Sequence, residues 1–343
     1  MWADLQHSPS FINTPSLSVC VCVCVCPSEN LKLTASTRTA NMSQTLPMNQ
    51  MKSRMEKAAK MKDEDKLYKR EGILYSSILS PPETMDKLKE LQAREDDLIL
   101  VAYPKCGFNW MVAVLRKIVN ASTGKNEKPP ERPPLVEFLP PDVQEELSEM
   151  PTPRLLGTHL HPDLMPASFF TKKAKILVVF RNPKDTAVSY FHFMNKNPVL
   201  PSAESWDKFF SDFMAGEVAW GSYFDHALAW EKRLDDPNVM IVTYEDLKQN
   251  LPEGVKKVSE FFNLPLTDEQ IGSIAGESTF NAMLENSQKS HGNFGNIFFR
   301  KGEVGDWKNH FSDVQSKQMD EIFQAKLAGT KLGARLKYDL YCQ

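Results

Sequence analysis

The sequence has almost no excess of charge of either sign. Its 343 residues carry 41 Lys+Arg against 44 Asp+Glu, a formal net charge of −3. That balance gives no general attraction to nucleic acid. No apolar run approaches the ~20 residues of a membrane span, which argues against a membrane partner. The opening Met1-Trp2-Ala3-Asp4 lacks the basic segment that begins a secretory signal. Cysteine is scarce outside one stretch. Four of the six lie in VCVCVCVCP, residues 19–27, which leaves Cys106 and Cys342. Cysteines spaced two apart along a strand make poor disulfide or tetrahedral metal geometry. Val codons begin GT and Cys codons begin TG, so a (GT)n repeat translates as this dipeptide. We therefore read residues 1–41 as a non-native extension from upstream sequence and Met42 as the usual start. Peptides of the native protein from before Met42, found by mass spectrometry, would overturn this. Two remaining thiols fit a reduced, cytoplasmic protein.

Hydrophobic content of 41% is that of a globular chain. Residues 42–65, rich in Met, Lys and Gln, read as a mobile lead-in. Residues 66–343 suit one domain. DLILVAYP (97–104) is a short apolar run ending at Pro, a buried strand. GFNWMVAVLRKIVN (107–120) follows, with Met111, Val114, Leu115 and Ile118 at the spacing of one helix face. AKILVVF (174–180) is a second strand. It leads into Arg181 and a helix that Asn182 caps, with Pro183 in its first turn. NVMIVTYEDL (238–247) repeats the strand-to-helix switch, and PRLLGTHLHP (153–162) holds a fourth strand. This alternation predicts an α/β fold, a central parallel sheet flanked by helices. Ligands in such sheets bind beyond the strand C-terminal ends, where Lys105, His159, Arg181 and Tyr244 all fall. Proline clusters at 129–134 and 139–141 predict a stiff loop, a wall or lid over those ends. There are no internal repeats.

YPKCGFNW (103–110) is a phosphate-binding loop with parts missing. A full GxxxxGK[ST] loop wraps a triphosphate and supplies a hydroxyl for Mg²⁺. Here the lysine precedes the glycine, and no acidic pair stands ready for a metal. What remains is one cation, successive backbone N–H groups and a helix N-terminus. That set suits a small dianionic group. By spacing alone, an ordinary strand-to-helix turn fits equally well.

Four segments resemble the cytosolic sulfotransferases. YPKCGFNW resembles their YPKSGTTW loop, FRNPKDTAVSYFHF (180–193) their 3′-phosphate signature, and RKGEVGDWKNHF (300–311) their RKGxxGDWK. THLHPDLMP (158–166) is similar to their THLPxxLLP. The segments come in family order across about residues 70–343. Cys106 after the lysine and Leu-His-Pro after Thr158-His159 place the resemblance nearest the sixth family, B subfamily.

The resemblance implies the sulfotransferase fold. It also implies transfer of the sulfuryl group of 3′-phosphoadenosine 5′-phosphosulfate to a hydroxyl or amine, without metal. By the same resemblance, Lys105 bridges the 5′-phosphate and the sulfate and stabilises the leaving oxygen. Cys106, Gly107, Phe108 and Asn109 supply backbone amides. His159 is the base that takes the acceptor's proton. Arg181 and Ser189, with Arg300, Lys301 and Gly302, bind the 3′-phosphate. Trp110 and Phe280 sandwich adenine, and Tyr244 and Ser278 make its polar contacts. Phe138 and Phe193 line a pocket suited to phenols, iodothyronines and other small apolar acceptors.

Other readings stay open beside these. Read alone, Trp110, Phe280 and Tyr244 are core aromatics. His161 shares a strand face with His159 and is the rival base. Phe108 and Asn109 replace the family's two threonines, and Gly157 replaces a frequent lysine. A catalytically weak or inactive nucleotide-binding module is therefore the alternative function. A kinase would need the triphosphate loop and Mg²⁺ ligands that are missing. The family's dimer motif, KxxxTVxxxE, is altered to Lys308, Ser312, Asp313 and Lys317, which predicts a monomer or weak homodimer.

Overall fold

The computed structural model describes residues 46–124, 135–291 and 300–343. The Val-Cys stretch, Met42 and the first proline cluster lie outside the described residues. Helix α1 spans Leu46–Lys60, where the sequence reads as a lead-in without packing. Its Ala58 is buried, and the Arg54 guanidinium donates to the carbonyl of Phe138.

Strands β1 (Leu67–Arg70) and β2 (Ile73–Ser76) then form an antiparallel hairpin. Both residues of its turn, Glu71 and Gly72, have positive φ, +52° and +83°. Such two-residue turns match the right-handed twist of the strands.

Strands β3 (Leu98–Ala102), β4 (Leu155–Thr158), β5 (Lys175–Phe180) and β6 (Val239–Thr243) form one parallel sheet in the order β4-β3-β5-β6. All five residues of β3 are buried, as expected of a strand covered on both faces. At the N-terminal end of the sheet, buried Arg154 donates to Asp97 through Nε (2.6 Å). The charged groups there satisfy one another, away from the opposite end.

Helix α2 (Phe108–Thr123) buries Met111, Val114, Leu115 and Ile118, the face predicted from spacing. Helix α3 (Pro183–Lys196) starts as predicted, with Asn182 Oδ1 accepting from the Asp185 N–H and Pro183 in the first turn. Helix α4 (Tyr244–Gln249) follows β6 directly. Helices α5 (Asp268–Glu277) and α6 (Phe280–His291) complete the surroundings of the site.

Candidate functional site

The four strand ends open on one cavity of about 550 Å³, within the usual range for small-molecule sites. Its walls include Lys105, Gly107, Phe108, Asn109 and Trp110 from the β3–α2 turn and His159 from beyond β4. Arg181, Ser189 and Phe193 come from β5–α3, Tyr244 from α4, Phe280 from α6, and Arg300, Lys301 and Gly302 from the segment beyond. Those from the first four turns converge because each group follows a strand of one parallel sheet.

The turn after β3 is built from left-handed backbone. Lys105 has φ +71° and Gly107 φ +102°. A Cβ on Gly107 would meet the Tyr244 ring at 3.0 Å, so a side chain there is crowded as well as strained. The turn closes through the Cys106 N–H, which donates to the Tyr103 carbonyl (3.1 Å). The amides of Phe108, Asn109 and Trp110 occupy the first turn of α2, where N–H groups have no intrahelical partner. Helix polarity and the lysine together favour an anion here.

The cation cluster is dense. Burial pushes the Lys105 ammonium down to about 7, and the guanidinium groups of Arg181 and Arg300 add to the shift. Lys105 Nζ also lies 4.3 Å from the Phe193 ring centroid. Arg181 stacks on Tyr244 at 4.7 Å and donates through Nη2 to the Glu303 carbonyl (2.8 Å). Its Nε is buried without a protein partner, as is Nε of Arg300. Asp306 holds both Arg300 and Lys301, the latter at 2.6 Å. Burial opposes its ionisation, yet hydrogen bonds from Lys301 and Arg300 hold its carboxyl well below the usual range.

This clamp is fastened to the start of α3. Asp185 accepts from the N–H groups of Gly305 (2.8 Å) and Trp307 (3.0 Å). Gly302 has φ +65°, and a Cβ there would overlap the Phe280 ring. Backbone and aromatic ring therefore sit in direct contact. The arrangement can hold two anionic groups, one at Lys105 and one at Arg181 and Arg300.

His159 stands beside the first of these. Its Nδ1 lies 2.7 Å from the Ala102 carbonyl oxygen, which can only accept. Nδ1 therefore carries the proton, and Nε2 is left as the basic nitrogen. Burial lowers the imidazole to about 4 against that hydrogen bond, and Lys105 lowers it further. The neutral ring packs edge-on against Phe108 (4.9 Å) and Trp220 (5.5 Å). The rival, His161, does not line the cavity. It faces away, with Nδ1 3.3 Å from the Asp163 nitrogen and its ring 6.5 Å from that of His226.

Three expected site residues lie behind the walls. Cys106 is fully buried, with Sγ 3.6 Å from the Thr186 hydroxyl, and burial pushes its thiol up to about 12. Its N–H is already spent on the turn, so it has no amide to offer an anion. Ser278 is fully buried too. Its carbonyl accepts from the Trp110 indole at 2.7 Å and so orients that ring, while its buried hydroxyl has no protein partner. Phe138 is not in the wall. It packs against Trp220 (5.7 Å) and His159 (6.3 Å) from outside.

Sequence reasoning missed Trp220 and Lys248, which both line the cavity. Trp220 has φ +64° and is buried. In EVAWGSYF nothing distinguishes it from a core aromatic. Lys248 Nζ donates to the Gly302 carbonyl, a contact that only the fold creates. In the altered dimer motif, Ser312 caps the helix Asp313–Lys326 and exchanges hydrogen bonds with Gln315.

A family model described as the sulfotransferase domain matches residues 95–331. The chain is 86% identical over 296 residues to sulfotransferase 6B1 of zebrafish, covering 86% of this chain and all of that one. It is 50% identical over 273 residues to human sulfotransferase 6B1, covering 80% of this chain and 90% of that one. Among solved structures, a mouse sulfotransferase, SULT7A1, complexed with PAP superposes with a TM-score of 0.71 at 36% identity. That match covers 80% of this chain and 99% of the mouse chain.

Proposed function

The chain belongs to the sulfotransferase family, and on that premise we propose how its cavity works. It moves the sulfuryl group of 3′-phosphoadenosine 5′-phosphosulfate to a hydroxyl or amine of a small apolar or phenolic acceptor. The observation that carries this is the convergence of Lys105, Arg181, Arg300 and Lys301 on a cavity that a neutral His159 also lines. The PAP complex of the mouse relative supports reading that cavity as the nucleotide site.

Arg181, Ser189, Arg300, Lys301 and the backbone of Gly302 take the 3′-phosphate. The orphaned Nε atoms of both arginines fit this role. Trp110 and Phe280 hold adenine, with Tyr244 beside them. Lys105 and the amides of Phe108 and Asn109 take the 5′-phosphosulfate. One phosphate and one singly charged sulfate need less neutralisation than a triphosphate, so this set suffices without a metal.

In the reaction, the acceptor oxygen attacks sulfur in line. A new S–O bond forms as the bond from sulfur to the bridging phosphate oxygen breaks. The acceptor's proton passes to His159 Nε2. Lys105 stabilises the charge that builds on the departing oxygen. The products are the sulfated acceptor and 3′,5′-bisphosphoadenosine. Phe108, Phe193 and Trp220 give the acceptor an aromatic wall near the base, which suits phenols. We place the reaction in the cytoplasm, in keeping with the free thiols of Cys106 and Cys342.

The test is transfer of labelled sulfate to a panel running from simple phenols to iodothyronines, widened to alcohols and amines. Wild type is compared with His159→Ala and Lys105→Ala. Transfer that falls at least about a hundredfold in both variants is expected from loss of the base and of the charge stabiliser. A wild type that binds donor but transfers to nothing across the widened panel would leave a nucleotide-binding module. Activity lost in His161→Ala but kept in His159→Ala would move the base.

A further inference from the structure

The catalytic histidine follows β4, the edge strand of the sheet, and an edge strand has ladder donors with no neighbouring strand. The chain solves this beside β4 with residues 135–138. Leu135 pairs in parallel with Gly157 as a single β-bridge. Two residues further along both segments, Glu137 Oε1 accepts the backbone N–H of His159 at 2.7 Å. A side-chain carboxyl thus stands where the next strand's carbonyl would be. Glu137 is fully buried, and its Oε2 has no hydrogen-bond partner.

We propose that Glu137 is a positioning residue for the reaction: it fixes the backbone of His159 so that the ring keeps its bond to Ala102 and presents Nε2 to the acceptor. This rests on the reading of His159 as the base. The ring alone has one hydrogen bond, to Ala102 on β3. Without a second anchor, the residue just past the strand end is free to rotate about its backbone. Effective alignment of reacting atoms is lost with displacements of about 1 Å. The support is itself held from the other side, since Arg54 of α1 donates to the carbonyl of Phe138, next to Glu137.

The groups facing the carboxyl are the Thr158 hydroxyl and the His159 N–H from the β4 side, and the Tyr75 phenol from β2. Burial raises the Glu137 carboxyl to about 7, against hydrogen bonding from the His159 N–H, its own N–H and the Thr158 hydroxyl. Oε1 accepts more strongly as a carboxylate than as the carbonyl oxygen of the acid, but it accepts in both, so the anchor survives either state.

The experiment compares Glu137→Ala, Glu137→Gln, His159→Ala and the Glu137→Ala/His159→Ala double variant. It measures kcat, the KM for donor, and the Kd for 3′,5′-bisphosphoadenosine. Glu137→Ala should lower kcat tenfold or more and leave the nucleotide Kd within twofold. Glu137→Gln, which keeps an acceptor oxygen, should stay within threefold of wild type. In the double variant, adding Glu137→Ala to His159→Ala should change the residual rate by less than twofold, because the two act as one unit. Should Glu137→Ala fail to fold, Glu137→Met takes its place, with the Gln variant still required to rescue. Equal losses in the Gln and Ala variants overturn the proposal, as does a second full tenfold loss in the double variant. If His159→Ala is itself active, the base assignment fails. If His159→Ala is dead and Glu137→Ala is fully active, only the positioning role fails.

Discussion

The Nζ of Lys105 and the ring of Phe193 lie 4.3 Å apart, so this cation rests on an aromatic face, with no carboxylate paired to it among the described residues. Burial and two neighbouring guanidinium groups bring its ammonium down to about 7. A dianion bound beside it offsets the two guanidinium charges and favours the protonated ammonium. At pH 7.5, binding of 3′,5′-bisphosphoadenosine should therefore take up a sizeable fraction of one proton. Calorimetry in buffers of different ionisation enthalpy reads this directly. The uptake should shrink below pH 6, where Lys105 is already protonated, and vanish in Lys105→Met. Equal enthalpies across buffers in wild type would contradict the low ammonium value.

The imidazole of His159 is shifted the same way. Burial depresses it to about 4, so the neutral form is present throughout the neutral range. The acid limb of the kcat profile should fall below about pH 5, well under the ordinary imidazole value near 6.5. Loss of activity centred near pH 6.5 would mean that His159 is more solvated than its packing against Phe108 and Trp220 indicates.

Asp306 anchors the proposed 3′-phosphate clamp, since it holds Arg300, Lys301 and, at 3.0 Å, the Asn309 amide. Asp306→Asn keeps the shape and removes the charge that orients the two cations. A lost charge-assisted hydrogen bond costs about 1.5–3 kcal/mol, which is roughly 10- to 150-fold in affinity. The donor KM should rise in that range, with the acceptor KM little changed. Arg300→Ala should do the same. A variant that lost acceptor and donor affinity equally would point to a general collapse of the site.

Much of this was legible because the chemistry-bearing residues follow strands. DLILVAYP and AKILVVF are unbroken apolar runs, and a parallel sheet buried on both faces produces that pattern. Lys105, His159 and Arg181 come next in the chain, so placing the strands placed them. The hairpin at Leu67–Ser76 was missed: Glu71-Gly72 is a weak turn signal, and its strands are only half apolar. Motif matching assigned Cys106 and Ser278 to the ligand. It could not see that the Cys106 amide closes the turn or that the Ser278 carbonyl holds the Trp110 indole. Trp220 and Glu137 carried no sequence signal, because both are defined by what they touch across the fold.

Gly302 tests how closely backbone and aromatic ring must approach. Its φ of +65° and the contact with Phe280 leave no room for a methyl group. Gly302→Ala should cost about 1–2 kcal/mol from backbone strain alone. It should also displace Phe280 from the ring-binding slot. We expect donor affinity to fall tenfold or more, with the melting temperature lowered by a few degrees. An alanine variant with wild-type nucleotide binding would show that Phe280 does not hold the adenine.

Burial of Glu137 has a consequence for stability as well as for positioning. Its carboxyl is raised from about 4.5 to about 7 in the folded chain. The unfolded chain therefore loses the proton first, and stability declines as pH rises from about 4.5 to 7, then levels off. The decline attributable to this one group is on the order of 3 kcal/mol at most. Glu137→Gln should remove it, so urea midpoints at pH 5.5 and 8 should lie closer together in the variant than in wild type. A parallel pH dependence in the two proteins would show that Glu137 is ionised at little cost.

The altered dimer motif sets the last expectation. Where the family has Thr-Val, this chain has Ser312-Asp313. Ser312 and Gln315 are engaged in capping the helix Asp313–Lys326, and Lys317 reverses the sign of the family's glutamate. A carboxylate in place of an apolar residue must be desolvated if a partner covers it, and the changed charge removes one complementary pair. Light scattering after size exclusion should give the mass of a monomer at low micromolar concentration. Asp313→Val with Lys317→Glu, restoring the family pattern, should shift the mass toward a dimer. A tight dimer in the wild type would mean that the subunits meet through another surface, and the double substitution would then leave the mass unchanged.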